Sequence, residues 1–233
     1  MSALKSGVRL TFSSEDKGGD ISAAVTSLVI AGWTGRDPAA MEAHIVELEK
    51  LGVKRPASTP IFYRGAASLL TQAAEIEVVG DRSSGEVEPV IVSLPDGLWL
   101  GVGSDHTDRQ VETVGITISK QMCAKPVSKR LWRFSDVSGR WDQLLVRSFA
   151  TRNGKRTLYQ EGPLAKMRHP DDLISRYLGA GATLPVGTVM FCGTLAVHGE
   201  LTGADLFELE IEDPVAKRKI THQYVTHILP IAG

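Results

Sequence analysis

Cysteine is scarce in this chain, and its scarcity argues against two kinds of small-domain architecture. The 233 residues include only two cysteines, Cys123 and Cys192, and these lack the close spacing of a zinc-binding pair. Neither a disulfide framework nor a structural zinc site is therefore indicated. Stability must come from a hydrophobic core, and a chain of this length is long enough to bury one.

An excess of charge of one sign is missing as well. The 26 basic and 27 acidic residues nearly cancel, so there is no strong field to attract nucleic acid or an anionic membrane surface. No apolar run approaches the roughly 20 residues that a membrane-spanning helix needs. The first residues also lack the charged-then-apolar pattern of a secretion signal. We therefore expect a cytoplasmic protein with neither a nucleic-acid nor a membrane partner.

Turn and helix signals are few but clear. Asp37 and Pro38 stand where an N-cap and a first helical residue are expected, which predicts a helix over 37–52. A second short helix is predicted at about 171–178. The pair Asn153-Gly154 accepts positive φ at both positions and predicts a β-hairpin.

Strand patterns dominate from Ile61 onward. One of them is the alternation between Val111 and Ser119, which predicts a strand ending at Lys120. The order of elements favours a β-rich α+β fold, a roll or barrel of mixed sheets with short helices. We expect one continuous domain in which residues 1–60 pack on, or cover, a site carried by residues 61–233.

Three acidic residues suggest a metal site. Glu86 and Glu88 lie two apart in an apolar run, so on a strand they point to the same face. Asp105 follows the next predicted strand. Like charges side by side are destabilising unless a cation lies between them, and three carboxylates with water would suit a hard divalent ion. The alternative is a solvated strand face with Asp105 in a turn.

A carboxylate and an imidazole are neighbours on the first predicted helix. His44 and Glu47 are three residues apart, so their side chains are adjacent on its surface. A carboxylate beside histidine fixes the tautomer and raises the basicity of the ring, as a general base for water requires. The alternative is an ordinary surface pair.

Other candidates have weaker local signals. Arg64 ends a short predicted strand and could meet an anion, and Lys120 could bind a carboxylate as a point charge if a metal lies nearby. In the turn Gly193-Thr194 the glycine allows close approach to a ligand, while the threonine offers a hydroxyl and an amide.

These separated motifs, taken together, resemble the fumarylacetoacetate hydrolase superfamily, and in particular a bacterial branch of it. The resemblance covers about residues 28–229 and depends on the order of seven elements. In this chain they are Gly35-Arg36-Asp37, His44-Ile45-Val46-Glu47, Arg64, Glu86-Val87-Glu88, Asp105 with Arg109, Lys120 ahead of Pro126-Val127, and Gly193-Thr194.

The resemblance implies a metal-dependent enzyme and assigns a role to each motif. It implies a homodimer that binds Mg²⁺, or Mn²⁺ as a substitute, and cleaves a C–C bond in a 2-oxo acid or 1,3-dicarbonyl carboxylate by hydrolysis. The alternatives are a decarboxylase, a lyase or hydratase, an isomerase, or a non-catalytic dicarboxylate-binding or interaction protein. The implied residues are His44, Glu47 and Lys120 for catalysis, Arg64, Arg109, Gly193 and Thr194 for the substrate, and Glu86, Glu88 and Asp105 for the metal.

Two further expectations concern local structure. Pro89 follows the second glutamate, and because proline cannot donate to a strand ladder we expect a bulge or an edge strand there. Gly32 and Gly35 precede the helix that carries His44, which suggests that this helix is a lid that orders over the substrate.

Overall fold

The computed structural model describes residues 7–14, 17–50 and 55–232, except for the side chains of residues 17, 18, 44, 47 and 48. The helices are α1 (Pro38–Lys50), α2 (Arg109–Glu112), α3 (Ile116–Met122), α4 (Ser135–Ser138) and α5 (Pro170–Leu178). The strands are β1 (Val8–Ser14), β2 (Lys17–Val25), β3 (Ser27–Gly32), β4 (Ile61–Gly65), β5 (Leu70–Thr71), β6 (Glu75–Val79), β7 (Ser83–Ser84), β8 (Val87–Leu94), β9 (Gly97–Ser104), β10 (Thr107–Asp108), β11 (Lys125–Pro126), β12 (Trp132–Arg133), β13 (Leu145–Arg152), β14 (Lys155–Pro163), β15 (Thr188–Phe191), β16 (Leu206–Asp213) and β17 (Arg218–Leu229).

Two mixed sheets form the body of the fold, as the sequence predicts. The six-stranded sheet has the order β12-β9-β8-β15-β3-β4, and the five-stranded sheet has the order β14-β13-β16-β17-β6. Strands β15 and β3 run parallel, as do β17 and β6, and the other pairs within these two sheets are antiparallel. In the part of the chain that the structure describes, no helix is both long and apolar enough to cross a membrane.

The six-stranded sheet is covered on both faces. One face meets the five-stranded sheet in a core that includes Val87, Val102 and Phe207. The opposite face is covered by the β1–β2 hairpin, whose Leu10 and Phe12 belong to a second apolar cluster. Every residue of β8 is consequently buried, which explains why this strand has an almost continuous apolar sequence.

The first 60 residues contribute to the central sheet. Strand β3 lies between β15 and β4 in the six-stranded sheet. Helix α1 begins after Asp37, whose Oδ1 accepts a hydrogen bond from the Ala39 amide at 2.9 Å. The preceding Arg36 anchors this end of the helix through two 2.7 Å bonds to Asp142. The segment before residue 60 is thus continuous with the sheet that carries the acidic motif.

The two strongest turn signals are confirmed. Asn153 and Gly154 both have positive φ, 49° and 73°, and connect β13 to β14. Helix α5 begins at Pro170 and ends before Gly179, which has a φ of 99°. In both places the residue type matches a backbone conformation that few other residues adopt easily.

The predicted strand from Val111 to Ser119 is wrong, because this segment forms α2 and α3. The side chain of Asp108 accepts hydrogen bonds from the Gln110 and Val111 amides and so caps α2. The apolar residues that suggested alternation are not on a buried sheet face, since Val114 is 81% exposed. Lys120 therefore lies in the last turn of a short helix and not at the end of a strand.

The prediction of a bulge or edge strand at Pro89 is also wrong. Strand β8 lies inside the sheet, and its register with β9 continues through the pair Pro89–Val102 without a shift. Pro89 pairs with no residue of β15, because that ladder ends at Phe191–Val90 and only the Cys192 amide still donates to the Pro89 carbonyl. The missing N–H thus falls where the ladder stops, and it costs the sheet little.

A buried ion pair fixes the end of β16. The Asp213 carboxylate has no exposed surface and accepts hydrogen bonds from Arg140, the shortest at 2.6 Å, and from the Ala216 amide. Arg218 lies farther away, at 3.4 Å. We predict that Arg140→Leu lowers the free energy of unfolding by about 3 kcal/mol, because it leaves a buried carboxylate without its main partner. Urea denaturation measures this loss.

The pH dependence of the same pair has a defined sign. Burial alone would raise the pKa of Asp213, but the hydrogen bonds from Arg140 outweigh it and lower the pKa below its ordinary value. A depressed pKa stabilises the fold above the unfolded value of about 3.9 and loses that effect as the pH falls. The difference in free energy of unfolding between wild type and Arg140→Leu should therefore shrink below about pH 4.

Arg176→Leu, which breaks an exposed pair with Asp172, is the control and should lower the free energy of unfolding by less than about 1 kcal/mol. Equal losses from the two substitutions would contradict the prediction.

Candidate metal centre

The three acidic residues singled out in the sequence meet at one point. Glu86 immediately precedes β8 and Glu88 lies within it, so both side chains point the same way. Strand β9 runs antiparallel to β8 and places Asp105 beside Glu86, whose carbonyl accepts the Asp105 amide at 3.0 Å. One carboxylate oxygen from each residue lies within 4.8 Å of the others. Strand alternation and the β8–β9 register are sufficient to produce this arrangement.

Two of these carboxylates are inaccessible to solvent. Glu88 is 2% exposed and Asp105 is 0% exposed. Glu86 is more open, with 16% of its side chain exposed. Burying ionised carboxylates is costly unless cations or hydrogen-bond donors compensate, so the surroundings of each one matter.

Asp105 is compensated by two lysines. The Lys120 ammonium donates a hydrogen bond to Asp105 Oδ2 and lies 3.8 Å from Glu86. The Lys125 ammonium lies 2.9 Å from Asp105 Oδ1. Burial alone would raise the pKa of Asp105, but the two lysines hold it below its ordinary value. Burial likewise opposes the charge on Lys120, and the neighbouring carboxylates outweigh that effect and raise its pKa.

Glu88 is compensated much less. It accepts a 2.7 Å hydrogen bond from the Gly193 amide. Burial, followed by repulsion from Asp105, raises the pKa of Glu88 well above its ordinary value. A cation placed between the three carboxylates would relieve both causes.

Arg109 connects the centre to a fourth acidic residue. Its Nη1 donates to Glu86 and to Glu112, each at 3.0 Å, and its Nε donates to Ser84 at 2.7 Å. The Nη2 atom is buried and has no hydrogen-bond partner within the described ranges. In this arrangement Arg109 orients Glu86, and a substrate carboxylate would compete with Glu112 for it.

The structure does not bring the Arg64 side chain to the carboxylates. Its guanidinium donates to Leu28, Tyr177 and Ser27, on the other side of β4. Its neighbour Tyr63 faces the centre instead, and the Lys120 ammonium lies 5.8 Å from the Tyr63 ring. The expectation that Arg64 meets a substrate anion is therefore corrected. Strand alternation would have indicated Tyr63, because adjacent residues point to opposite faces.

The Gly193-Thr194 turn is adjacent to the carboxylates but is engaged within the protein. Gly193 has a φ of 98°, and a Cβ there would lie 1.8 Å from Thr34 Oγ1. The Thr194 hydroxyl donates to the Val87 carbonyl and accepts from Gln160, both at 2.8 Å. The turn thus positions Glu88 and the start of β8, and its contact with a substrate stays a prediction.

The predicted pair His44 and Glu47 lies on α1, but both side chains lie outside the described part of the structure. The chain leading to α1 does pass the centre. Trp33 has an unusual φ of 58° and hydrogen-bonds Tyr63, which faces Lys120. Left-handed backbone at a non-glycine residue is a strained conformation that often accompanies functional sites. The roles of His44 and Glu47, and the lid, stay predictions.

Sequence reasoning missed Lys125. It is completely buried, and its ammonium donates to the His106 carbonyl in addition to contacting Asp105. The signal was weak, because a lysine in a loop is usually solvated. The short parallel pairing of β11 with β5 is what carries this lysine inward.

His106 and Asp108 support the centre from behind. The two ring nitrogens of His106 each lie 2.9 Å from a hydroxyl, one on Tyr224 and one on Ser83. Burial, followed by the nearby Lys125 and Arg109, lowers the pKa of His106 to about 3. Its ring is therefore neutral, and both nitrogens are occupied, while Asp108 is the cap of α2.

Residues 31–224 match the profile of a family described as a protein of unknown function, DUF2848. The chain belongs to the DUF2848 family. No curated protein matches it. The matched range includes the three carboxylates, both lysines and the Gly193 turn, so the whole centre lies within the family's shared region.

This DUF2848 protein has the fold of the fumarylacetoacetate hydrolase family over nearly its full length. It superposes on 2-keto-3-deoxyarabinonate dehydratase with a TM-score of 0.65, 15% identity and coverage of 89% of this chain and 74% of that chain. A yeast protein of the fumarylacetoacetate hydrolase family superposes with a TM-score of 0.61 at 18% identity, over 89% of this chain and 95% of that one. The 2-hydroxyhepta-2,4-diene-1,7-dioate isomerase from Mycobacterium marinum superposes with a TM-score of 0.59 at 17% identity, over 93% of this chain and 83% of that one. At these identities the likeness establishes the fold.

The residues of the DUF2848 protein fit a hard divalent cation. The donor set consists of carboxylate oxygens, which Mg²⁺ and Mn²⁺ prefer. Asp105 Oδ1 is buried without a hydrogen bond from the described residues, since Lys125 approaches it at 2.9 Å without hydrogen-bond geometry. Glu88 gives the stronger argument, because it is buried with a hydrogen bond from the Gly193 amide and has no ion pair among the described residues.

Proposed function

We propose that this protein is a divalent-metal-dependent hydrolase that cleaves a C–C bond in a 2-oxo acid or a 1,3-dicarbonyl carboxylate. The observation that carries the proposal is the convergence of Glu86, Glu88 and Asp105, with one oxygen of each within 4.8 Å of the others. The fold adds support, because solved structures that share it include a dehydratase of a keto-deoxy sugar acid and an isomerase of a dienedioate.

The three carboxylates would hold Mg²⁺ or Mn²⁺ through oxygen ligands. When bound, such an ion would act as a Lewis acid toward a keto oxygen of the substrate. Glu86 is the most accessible of the three, with 16% of its side chain exposed, and it marks the side from which a ligand could enter. Glu88 and Asp105 form the buried floor.

Lys120 is the charged group best placed to meet a substrate carboxylate. Its ammonium lies between Asp105 and the Tyr63 ring, and 10% of its side chain is exposed. A compact ammonium on a flexible stem can turn from Asp105 to an incoming anion. Arg109 is a second candidate, provided that the substrate displaces Glu112 from it.

In the hydrolytic reaction His44, oriented by Glu47, would take a proton from water, which then attacks the carbonyl carbon next to the bond that breaks. The electron pair of that C–C bond would stay on the departing oxo-acid fragment as an enolate, which then takes up a proton, so that two acids are released. Helix α1 supplies the histidine, and its N-terminus is anchored by Arg36 to Asp142. If α1 closes as a lid, it would bring the base to the substrate and exclude bulk water.

A metal-dependent lyase or hydratase is the second candidate. The observation that favours it is that the described residues already bring the three carboxylates together with Lys120, whose ammonium could orient a substrate carboxylate. A solved structure that shares the fold is a dehydratase, and neither elimination nor decarboxylation needs a base for water.

A substrate panel tests the proposal and separates the two candidates. Acylpyruvates, oxaloacetate and sugar-derived 2-oxo acids are incubated with Mg²⁺ or Mn²⁺, and the products are identified by NMR. We expect turnover of an acylpyruvate to two acids, abolished by a chelator and reduced about 10²–10⁴-fold by His44→Ala. Full activity of His44→Ala would favour the lyase or hydratase. No turnover of any panel member with either metal would contradict the proposed enzyme class.

A further inference from the structure

Two lysines contact the same carboxylate, but they are held differently. Lys120 projects from α3, retains some exposure and faces the open side of the centre. Lys125 lies on β11 with its side chain fully buried. Their ammonium groups approach the two oxygens of Asp105 separately, so that one carboxylate has two cations.

Lys125 cannot leave its place easily. Its ammonium donates to the His106 carbonyl as well as pairing with Asp105, and its strand is paired with Leu70 and Thr71 of β5. Removing a fully buried ammonium from both partners without supplying others would cost more than turning the slightly exposed Lys120 toward solvent. Lys125 is therefore a cationic side chain held in place beside the ligands, whereas Lys120 has an exposed side from which an incoming anion could reach it.

The fixed ammonium changes the electrostatic balance of the centre. The three carboxylates, together with Glu112 beside Arg109, face three cationic side chains, which are Lys120, Lys125 and Arg109, and this leaves about one net negative charge. A divalent ion would thus enter a site that is already nearly neutral. Charges in a buried site interact strongly, so the fixed ammonium opposes the ion directly.

We propose that Lys125 is a positioning residue that fixes Asp105 and keeps the affinity for a divalent ion low until an anionic oxo acid binds with it. The inference rests on the proposed function for the class of ligand. A dianionic chelator restores the missing negative charge and also attracts Lys120, so that ion and acid each strengthen the binding of the other. By linkage the coupling is reciprocal.

Manganese binding to the whole protein tests the inference without any turnover. Mn²⁺ is titrated by calorimetry with and without saturating oxalate, a dianion that mimics a 2-oxo acid. We expect oxalate to tighten Mn²⁺ binding at least tenfold in the wild type, after correction for Mn²⁺–oxalate binding in solution. In Lys125→Met we expect Mn²⁺ alone to bind at least tenfold more tightly, and the effect of oxalate to shrink. Structural damage to the site would lower the affinity for Mn²⁺. A rise in Mn²⁺ affinity in Lys125→Met therefore cannot be the result of a folding defect.

Lys129→Met is the matched control, since Lys129 is an exposed lysine four residues along the chain. It should bind Mn²⁺ as the wild type does. If Lys125→Met does not fold, the test is the effect of oxalate on Mn²⁺ binding by the wild-type protein. Equal Mn²⁺ affinity with and without oxalate would overturn the inference. Unchanged or weaker Mn²⁺ binding by folded Lys125→Met would overturn it too. An inactive substrate panel together with intact Mn²⁺–oxalate coupling would remove the proposed reaction and support this inference, whereas no Mn²⁺ binding at all would overturn both.

Discussion

Glu88→Gln is expected to abolish the response of the protein to divalent ions without unfolding it. Glu88 is 2% exposed and accepts a hydrogen bond from the Gly193 amide. A glutamine of the same shape can accept that bond through its amide oxygen. It removes a buried negative charge that has no ion pair within the described ranges, so the ion-free protein should be as stable as wild type or more stable.

The metal-loaded protein should behave in the opposite way. At an ion concentration of 100 times Kd, binding stabilises the wild type by about 2.7 kcal/mol, and Glu88→Gln should lose most of this. Loss of a ligand should also reduce turnover by at least about 10²-fold, the scale of removing one charge-stabilising group from an active site. Thermal unfolding with a chelator and with Mn²⁺ measures the first effect, and the substrate panel measures the second.

Glu77→Gln is the control for this substitution, because Glu77 lies exposed on β6, in the other sheet. It should leave both the ion-free stability and the Mn²⁺ response unchanged. A Glu88→Gln protein that is still stabilised by Mn²⁺ to the wild-type extent would show that the three carboxylates are not the ion site.

The parts of the fold that the sequence predicts well are those in which one residue type has a strong local preference. Asn153 and Gly154 both adopt positive φ, which few other residues tolerate, and Asp37 caps α1 through its own carboxylate. The acidic centre belongs to the same class, since strand alternation alone aligns Glu86 with Glu88. The contribution of Asp105 needed one further fact, the register of β8 against β9.

The failures occur where tertiary context decides. Between Val111 and Ser119 the apolar residues fit a strand alternation, yet Val114 lies exposed in the turn between α2 and α3, and Ile118 lies exposed on α3. The cap supplied by Asp108 selects the helix. The sequence points to Arg64 through its charge, but the face of β4 determines that its neighbour Tyr63 approaches Lys120 instead.

Lys125 illustrates a different limit. No local pattern marks a buried lysine, because burial depends on a parallel contact between β11 and β5, which are distant in the sequence. The same contact brings its ammonium to Asp105. Residues that tune a site through long-range pairing are therefore the ones that a single sequence conceals most effectively.

Lys120→Met is expected to separate ion binding from turnover. Lys120 contacts Asp105 and Glu86 but also faces the open side of the centre, beside Tyr63. Methionine keeps the length of the side chain and removes its charge. Asp105 retains Lys125 as a partner, so the fold and the three carboxylates should survive. The affinity for Mn²⁺ should stay the same or rise, because one competing cation is gone.

Turnover should fall by about 10²–10³-fold in the same variant, since a positive charge aimed at the reacting anion is lost. Lys155→Met, at an exposed position beside the Asn153-Gly154 turn, is the control and should be fully active. Calorimetry with Mn²⁺ and the rate on the best panel substrate are measured on one preparation. If Mn²⁺ affinity and turnover fell together, Lys120 would be a structural partner of Asp105 and not a group that meets the substrate. A loss confined to turnover would instead assign Lys120 to the reaction and leave the buried Lys125 to hold the site in shape.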